Sequence, residues 1–167
     1  MGRRESIQSV DNGLSIRKYW HDAFGKPIDL SNGVLEATQG DLFTIVIEVE
    51  ATSSTNFEDL LVTDLLPSGF ELEETLISPP KVFMDDGSLS EISLDFGKTP
   101  SNIQKMDDRY VAHFQGRWRS NETAILAYTI RAAFAGEMTI PDAHAEQMYA
   151  PEISGRSNVA RAIVEPN

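Results

Sequence analysis

The sequence predicts an all-β fold, an antiparallel Ig-like β-sandwich with at most one short helix, on three observations. Apolar residues alternate by twos at Phe43, Ile45, Ile47 and Val49, with Thr44, Glu48 and Glu50 on the other face, as in a half-buried strand. The alternation returns over 124–134, where Ala124, Leu126, Tyr128, Ile130, Ala132 and Phe134 take the even positions and Thr123, Thr129 and Arg131 odd ones. Turn-forming clusters divide the chain at the spacing of a sandwich: Phe24-Gly25-Lys26-Pro27, Ser31-Asn32-Gly33, Gln39-Gly40-Asp41, Pro67-Ser68-Gly69, Asp85-Asp86-Gly87 and Ala135-Gly136.

Taken in order, 14–20 reads as the first strand, the run from Leu42 as the next, and 59–65 as a third. Pro67 presets one dihedral of a turn that Gly69 completes, after which Phe70 and Leu72 re-enter the core. The stretch from about 75 to 100 is a loop-rich crossover holding a short strand at 92–96. Pro100 precedes the one place where a helical turn is expected, 101–107, with Ile103 and Met106 three apart. Tyr110, Ala112 and Phe114 then alternate with His113 and Gln115, and a hairpin through Ser120-Asn121-Glu122 is expected to lead into the long strand at 124–134. Short strands at 137–140, 145–149 and 159–164 complete the series.

At 167 residues the chain is one domain's length, so 1–167 is read as a single sandwich with 1–10 as a flexible or cloning-derived start. Residues 1–40 carry five acids and five bases, 41–108 fifteen acids and three bases, and 109–167 six of each. The whole net charge of −12 therefore lies in the middle, which disfavours nucleic acid and anionic membranes because phosphate binding needs Lys and Arg. No apolar run reaches the length of a membrane-spanning helix. Zero cysteines exclude disulfides, thiolate metal sites and a cysteine nucleophile.

The remaining chemistry is sparse. His21, His113 and His144 are too scattered for metal-ligand spacing, and Asp85-Asp86-Gly87 and Asp107-Asp108 lack the alternating ligands of a calcium loop. Asp107-Asp108-Arg109 reads instead as a local ion pair at a strand entrance. Neither a Gly-x-Ser-x-Gly elbow nor a phosphate-cradling glycine loop is present, so no catalytic, cofactor or metal residue is assigned and the chain is read as non-enzymatic. Strand alternation places Trp118 beside Phe114, a core or sheet-edge position and not a base-stacking one. Asn121-Glu122-Thr123 has the form of a glycosylation sequon and is assigned no role.

The segment Met148-Tyr149-Ala150-Pro151-Glu152-Ile153-Ser154-Gly155-Arg156-Ser157 is dictated by neither core packing nor turn chemistry, and reads as a surface loop that offers two apolar side chains to a partner. Docking and simple core packing both remain open for Met148 and Tyr149, and solvent exposure distinguishes them. Together with Gly13-Leu14-Ser15-Ile16-Arg17-Lys18-Tyr19, Gln39-Gly40-Asp41-Leu42, Asp64-Leu65-Leu66-Pro67-Ser68-Gly69-Phe70 and Asp107-Asp108-Arg109, the Met148-Tyr149-Ala150-Pro151 motif resembles the C-terminal macroglobulin-like domain of bacterial alpha-2-macroglobulins. The resemblance implies a docking domain of a periplasmic, envelope-associated protease-trapping inhibitor. Its partners would be the thioester domain of the same parent chain and, through the intact parent, proteases; no cofactor is implied, no nucleic acid, and a membrane only through an anchor elsewhere in the parent. Met148, Tyr149 and Pro151 are carried over as the docking residues. The alternative is a stand-alone Ig-like surface or adhesin module that binds an extracellular protein, which the Leu-Pro-Ser-Gly turn alone would permit.

Overall fold

The computed structural model describes residues 10–52, 57–73, 81–83, 89–91, 100–119 and 122–167, and every regular element among them is a strand. The first half of the chain forms β1 (Val10–Asn12), β2 (Leu14–His21), β3 (Pro27–Ile28), β4 (Val34–Thr38), β5 (Leu42–Ala51), β6 (Phe57–Leu65) and β7 (Phe70–Leu72). Short strands β8 (Lys81–Phe83), β9 (Leu89–Glu91) and β10 (Asn102–Lys105) precede the long β11 (Arg109–Trp118) and β12 (Thr123–Ala132). β13 (Gly136–Ile140), β14 (Ala143–Gln147), β15 (Ala150–Arg156) and β16 (Ala160–Glu165) end it.

Hydrogen bonding sorts these strands into a six-stranded sheet, β1-β15-β14-β6-β11-β10, and a five-stranded sheet, β3-β2-β5-β12-β7. A three-stranded sheet, β13-β16-β4, and the β8-β9 pair are separate. Strand pairing is antiparallel except where β16 runs parallel to β4. The two large sheets face each other because each has one apolar side that water penalises. Phe43, Ile45, Ile47 and Val49 of β5 and Ala124, Leu126, Tyr128 and Ile130 of β12 share one core with Leu60 and Val62 of β6 and Ala112 and Phe114 of β11. Fully burying each large side chain contributes about 1.5–3 kcal/mol. At one end Trp20 meets Phe43 and Phe70 edge-on, with ring centres 5.6 and 6.2 Å away.

Two charged residues occupy inward positions of opposite sheets. Lys18 continues the inward series of Leu14 and Ile16 on β2, and Asp64 that of Leu60 and Val62 on β6. Lys18 Nζ donates to Asp64 Oδ1 at 2.7 Å, with the side chains 6% and 0% exposed. The Tyr128 hydroxyl donates to Asp64 Oδ2, and Tyr110 stacks on Tyr128 with ring centres 4.4 Å apart. Burial pushes the Tyr110 hydroxyl up to about 12.

Several local expectations are overturned. The expected helical turn at 101–107 is strand β10, because Asn102 to Lys105 hydrogen-bond along β11 and leave Ile103 and Met106 exposed. β11 and β12 do not form a hairpin. β11 pairs with β6 and β10, whereas β12 pairs with β5 and β7, so the connection crosses from one sheet to the other and lets both apolar faces meet in the core. The predicted long strand stops at Ala132: the Ala133 and Phe134 amides turn to the Gly69 carbonyl, and Phe134 is left exposed. The expected surface loop at 148–157 is irregular only at its ends, since β15 runs from Ala150 to Arg156 and pairs with β14 and β1. The expected strand at 92–96, the Asp85-Asp86-Gly87 turn, Asn121 of the sequon and the Trp118 side chain lie outside the described residues.

Candidate functional site

The three residues singled out from the sequence lie together at one tip of the six-stranded sheet. Met148 and Tyr149 form the turn between β14 and β15, and Pro151 follows it. Met148 is 43% exposed and Tyr149 81%. Pairing between β14 and β15 shifts register between Glu146, opposite Ser154, and Gln147, opposite Ala150. Pro151, Glu152 and Ile153 therefore have no partner on β14, and a residue without an N–H costs no ladder bond at that place. Ile153 packs back on the core, while Pro151 and Glu152 face solvent.

The turn is braced from the neighbouring strand. The Met148 amide donates to the Asp59 carbonyl at 2.9 Å. Asp59, with φ of 48°, is the one non-glycine residue at positive φ among those described, and aspartate is among the few L residues that tolerate this region. Its Oδ1 accepts the Gly116 amide at 3.0 Å, which ties β6 to the bulge in β11 between Phe114 and Arg117. Beside it, the Arg117 guanidinium reaches Glu58 Oε1 at 2.6 Å. Both partners are exposed, so the pair contributes no more than about 1 kcal/mol. Gln147 Oε1, at the foot of the turn, is buried without a hydrogen-bond partner. Asp59 and Gly116 escaped sequence reasoning because neither stands in a turn motif; the bulge that recruits them exists only once β11 lies on β6.

No group of three or more His, Asp or Glu side chains able to hold a metal occurs among the described residues. His21 is buried on β2, and burial lowers its pKa from 6.5, opposed by the Thr44 backbone and the Asp22 carboxylate. Asp108 and Arg109 form the expected ion pair at the entrance to β11, with an N–O separation of 2.9 Å. The Arg109 guanidinium holds the Asp108 carboxyl below its ordinary value.

The likenesses of the whole chain agree with this architecture. An alpha-2-macroglobulin of Xylella fastidiosa (strain Temecula1) is 32% identical over 164 residues, which are 96% of this chain and 9% of that protein. The crystal structure of native alpha-2-macroglobulin from Escherichia coli, spanning domain MG7 to the C-terminus, superposes with a TM-score of 0.70 at 26% identity, covering 98% of this chain and 25% of that one. A Salmonella alpha-2-macroglobulin reacted with methylamine gives a TM-score of 0.69 at 26% identity, over 98% of this chain and 10% of that one. The chain thus spans about a tenth of the length of its full-length relatives. The family profile described as the bacterial alpha-2-macroglobulin MG10 domain matches residues 13–152, and the chain belongs to that family.

Proposed function

We propose that the chain is the C-terminal docking domain of a bacterial alpha-2-macroglobulin-type protease-trapping inhibitor, packing through Met148, Tyr149 and Pro151 on the thioester domain of its own parent chain. It performs no catalysis. It keeps water from the reactive acyl group until cleavage of the parent by a protease releases the contact. The observation that carries this reading is Tyr149, 81% exposed on a turn that Asp59 braces from behind. A large aromatic held outward on a preorganised turn has the character of an interface anchor. The match over residues 13–152 favours the inhibitor over a stand-alone surface module. The likeness to a relative that spans MG7 to the C-terminus supports a place in the later part of the parent. The parent would work in the periplasm and reach a membrane only through an anchor elsewhere in its chain.

The test is Tyr149→Ala in the full-length parent, followed by methylamine incorporation before and after protease treatment. Loss of an interface anchor of about 1.4 kcal/mol or more would raise the reactivity of the uncleaved protein tenfold or more. The melting of this domain stays unchanged because the side chain is mostly in solvent. Equal methylamine reactivity in the two uncleaved proteins would remove the shielding role.

A further inference from the structure

The Lys18–Asp64 contact joins β2 of one sheet to β6 of the other, between residues 46 apart in the chain. Removing either partner of such a pair leaves the other charge buried, whereas an apolar pair would fill the same space without the desolvation cost. An amine beside a carboxyl in a sealed site is also the reactant pair of an amide. We propose that Lys18 and Asp64 condense into an intramolecular amide that staples the two sheets covalently, with release of one water.

Each requirement of the step is met by a named group. The Lys18 nitrogen lies 2.7 Å from Asp64 Oδ1, with the two side chains 6% and 0% exposed, so the reactants are held together and water is kept away. Holding reactants this way substitutes for effective concentrations on the order of 10⁵ M or higher. Within the pair, a proton passes from the ammonium to Oδ1, leaving an amine with a free lone pair and a carboxylic acid; the apolar interior favours the acid over the carboxylate. Burial, helped by the nearby Asp142 carboxylate and opposed by Lys18, raises the Asp64 pKa in the same direction. The Nζ lone pair then forms a bond to Cγ while the Cγ–Oδ2 π pair moves onto Oδ2. That oxygen already accepts the Tyr128 O–H, a preformed donor for the developing negative charge. Tyr110, stacked on Tyr128, holds the phenol in place. Re-formation of the carbonyl breaks the Cγ–Oδ1 bond. Oδ1 leaves as water, carrying the proton it received and one from the nitrogen, so no oxidant or other reactant is needed.

The decisive measurement is a peptide map of the purified full-length protein after denaturation and proteolysis, read by tandem mass spectrometry. The expected result is a branched peptide that joins the segments containing Lys18 and Asp64, lighter by one water than their sum, with no protease cleavage after Lys18. Linear peptides alone, with free Lys18 and free Asp64, would overturn the proposal and leave an ion pair. Water loss mapped to any other pair of residues would overturn it equally. Lys18→Arg is expected to yield linear peptides only; if that variant does not fold, the map of the unaltered protein still decides. The outcome does not depend on the docking role of Tyr149.

Discussion

Replacing Gly155 by alanine isolates the packing of β15 on β2, and with it the support of the exposed turn. Gly155 is buried, and a methyl group there would run into the Leu14 carbonyl oxygen, with the Leu14 carbonyl carbon at 3.0 Å and its Cβ at 3.4 Å. The obstructing atoms are mainly backbone. Leu14 is paired with Ala51 on β5, and Gly13 just before it bridges to Ser154 of β15, so no flexible chain end can swing aside. One of the two strands must move. Overpacking of a close-packed interior costs about 1–3 kcal/mol, and a backbone obstruction belongs at the upper end, about 3 kcal/mol. At roughly 2–4 °C per kcal/mol for a chain of this size, the melting temperature falls by about 6–12 °C. Thermal unfolding followed by circular dichroism measures this, with Gly33→Ala and Gly40→Ala as controls. Those two glycines have φ of 77° and 98° with nothing within 4 Å of an added Cβ, so only backbone strain of about 1–2 kcal/mol is incurred. A Gly155→Ala protein that melts as high as both controls would show that the Leu14 backbone does not obstruct a side chain at this position.

Acid should act through His21 before it acts through most carboxylates. The His21 pKa is lowered below 6.5 in the folded state, so the unfolded chain takes up the proton first. The stability this group supplies is whole above pH 6.5 and drains away as the pH falls through the depressed folded value, by up to about 1.4 kcal/mol per pH unit. Urea midpoints at pH 7.5 and pH 5.5 should therefore fall further apart for the unaltered protein than for His21→Gln; equal differences would exclude the histidine as the cause. Arg109→Ala, in contrast, removes an exposed pair whose side chains are 42% and 66% in solvent, and should shift the urea midpoint by the equivalent of less than about 1 kcal/mol. A larger loss would show that Arg109 supports more than its ionic neighbour.

Which residues most strands must bury is legible in the order of the amino acids. Phe43, Ile45, Ile47 and Val49 share one face of their strand, and the even positions from Ala124 to Ala132 one face of theirs, because a pleated strand presents successive side chains to opposite faces; Val46 and Ile125 are buried on the other face. The turns at Gly25, Gly33, Gly40 and Gly69 were legible for a related reason: all four adopt positive φ, a region that L side chains rarely enter. That Lys18 and Asp64 point inward and meet was decided by the packing of the two sheets. Which strand pairs with which was decided only in three dimensions. An apolar face states that it must be covered, not by what, so β11 and β12 read as a hairpin although their faces meet across the sandwich. β10 was hidden because all of its side chains face solvent, so burial imposed no period on them. The site divides in the same way. Met148 and Tyr149 stood out because apolar side chains beside a proline answer to no core; the bracing by Asp59 and Gly116 depends on a bulge between strands more than fifty residues apart, a juxtaposition set by tertiary packing and by no local pattern.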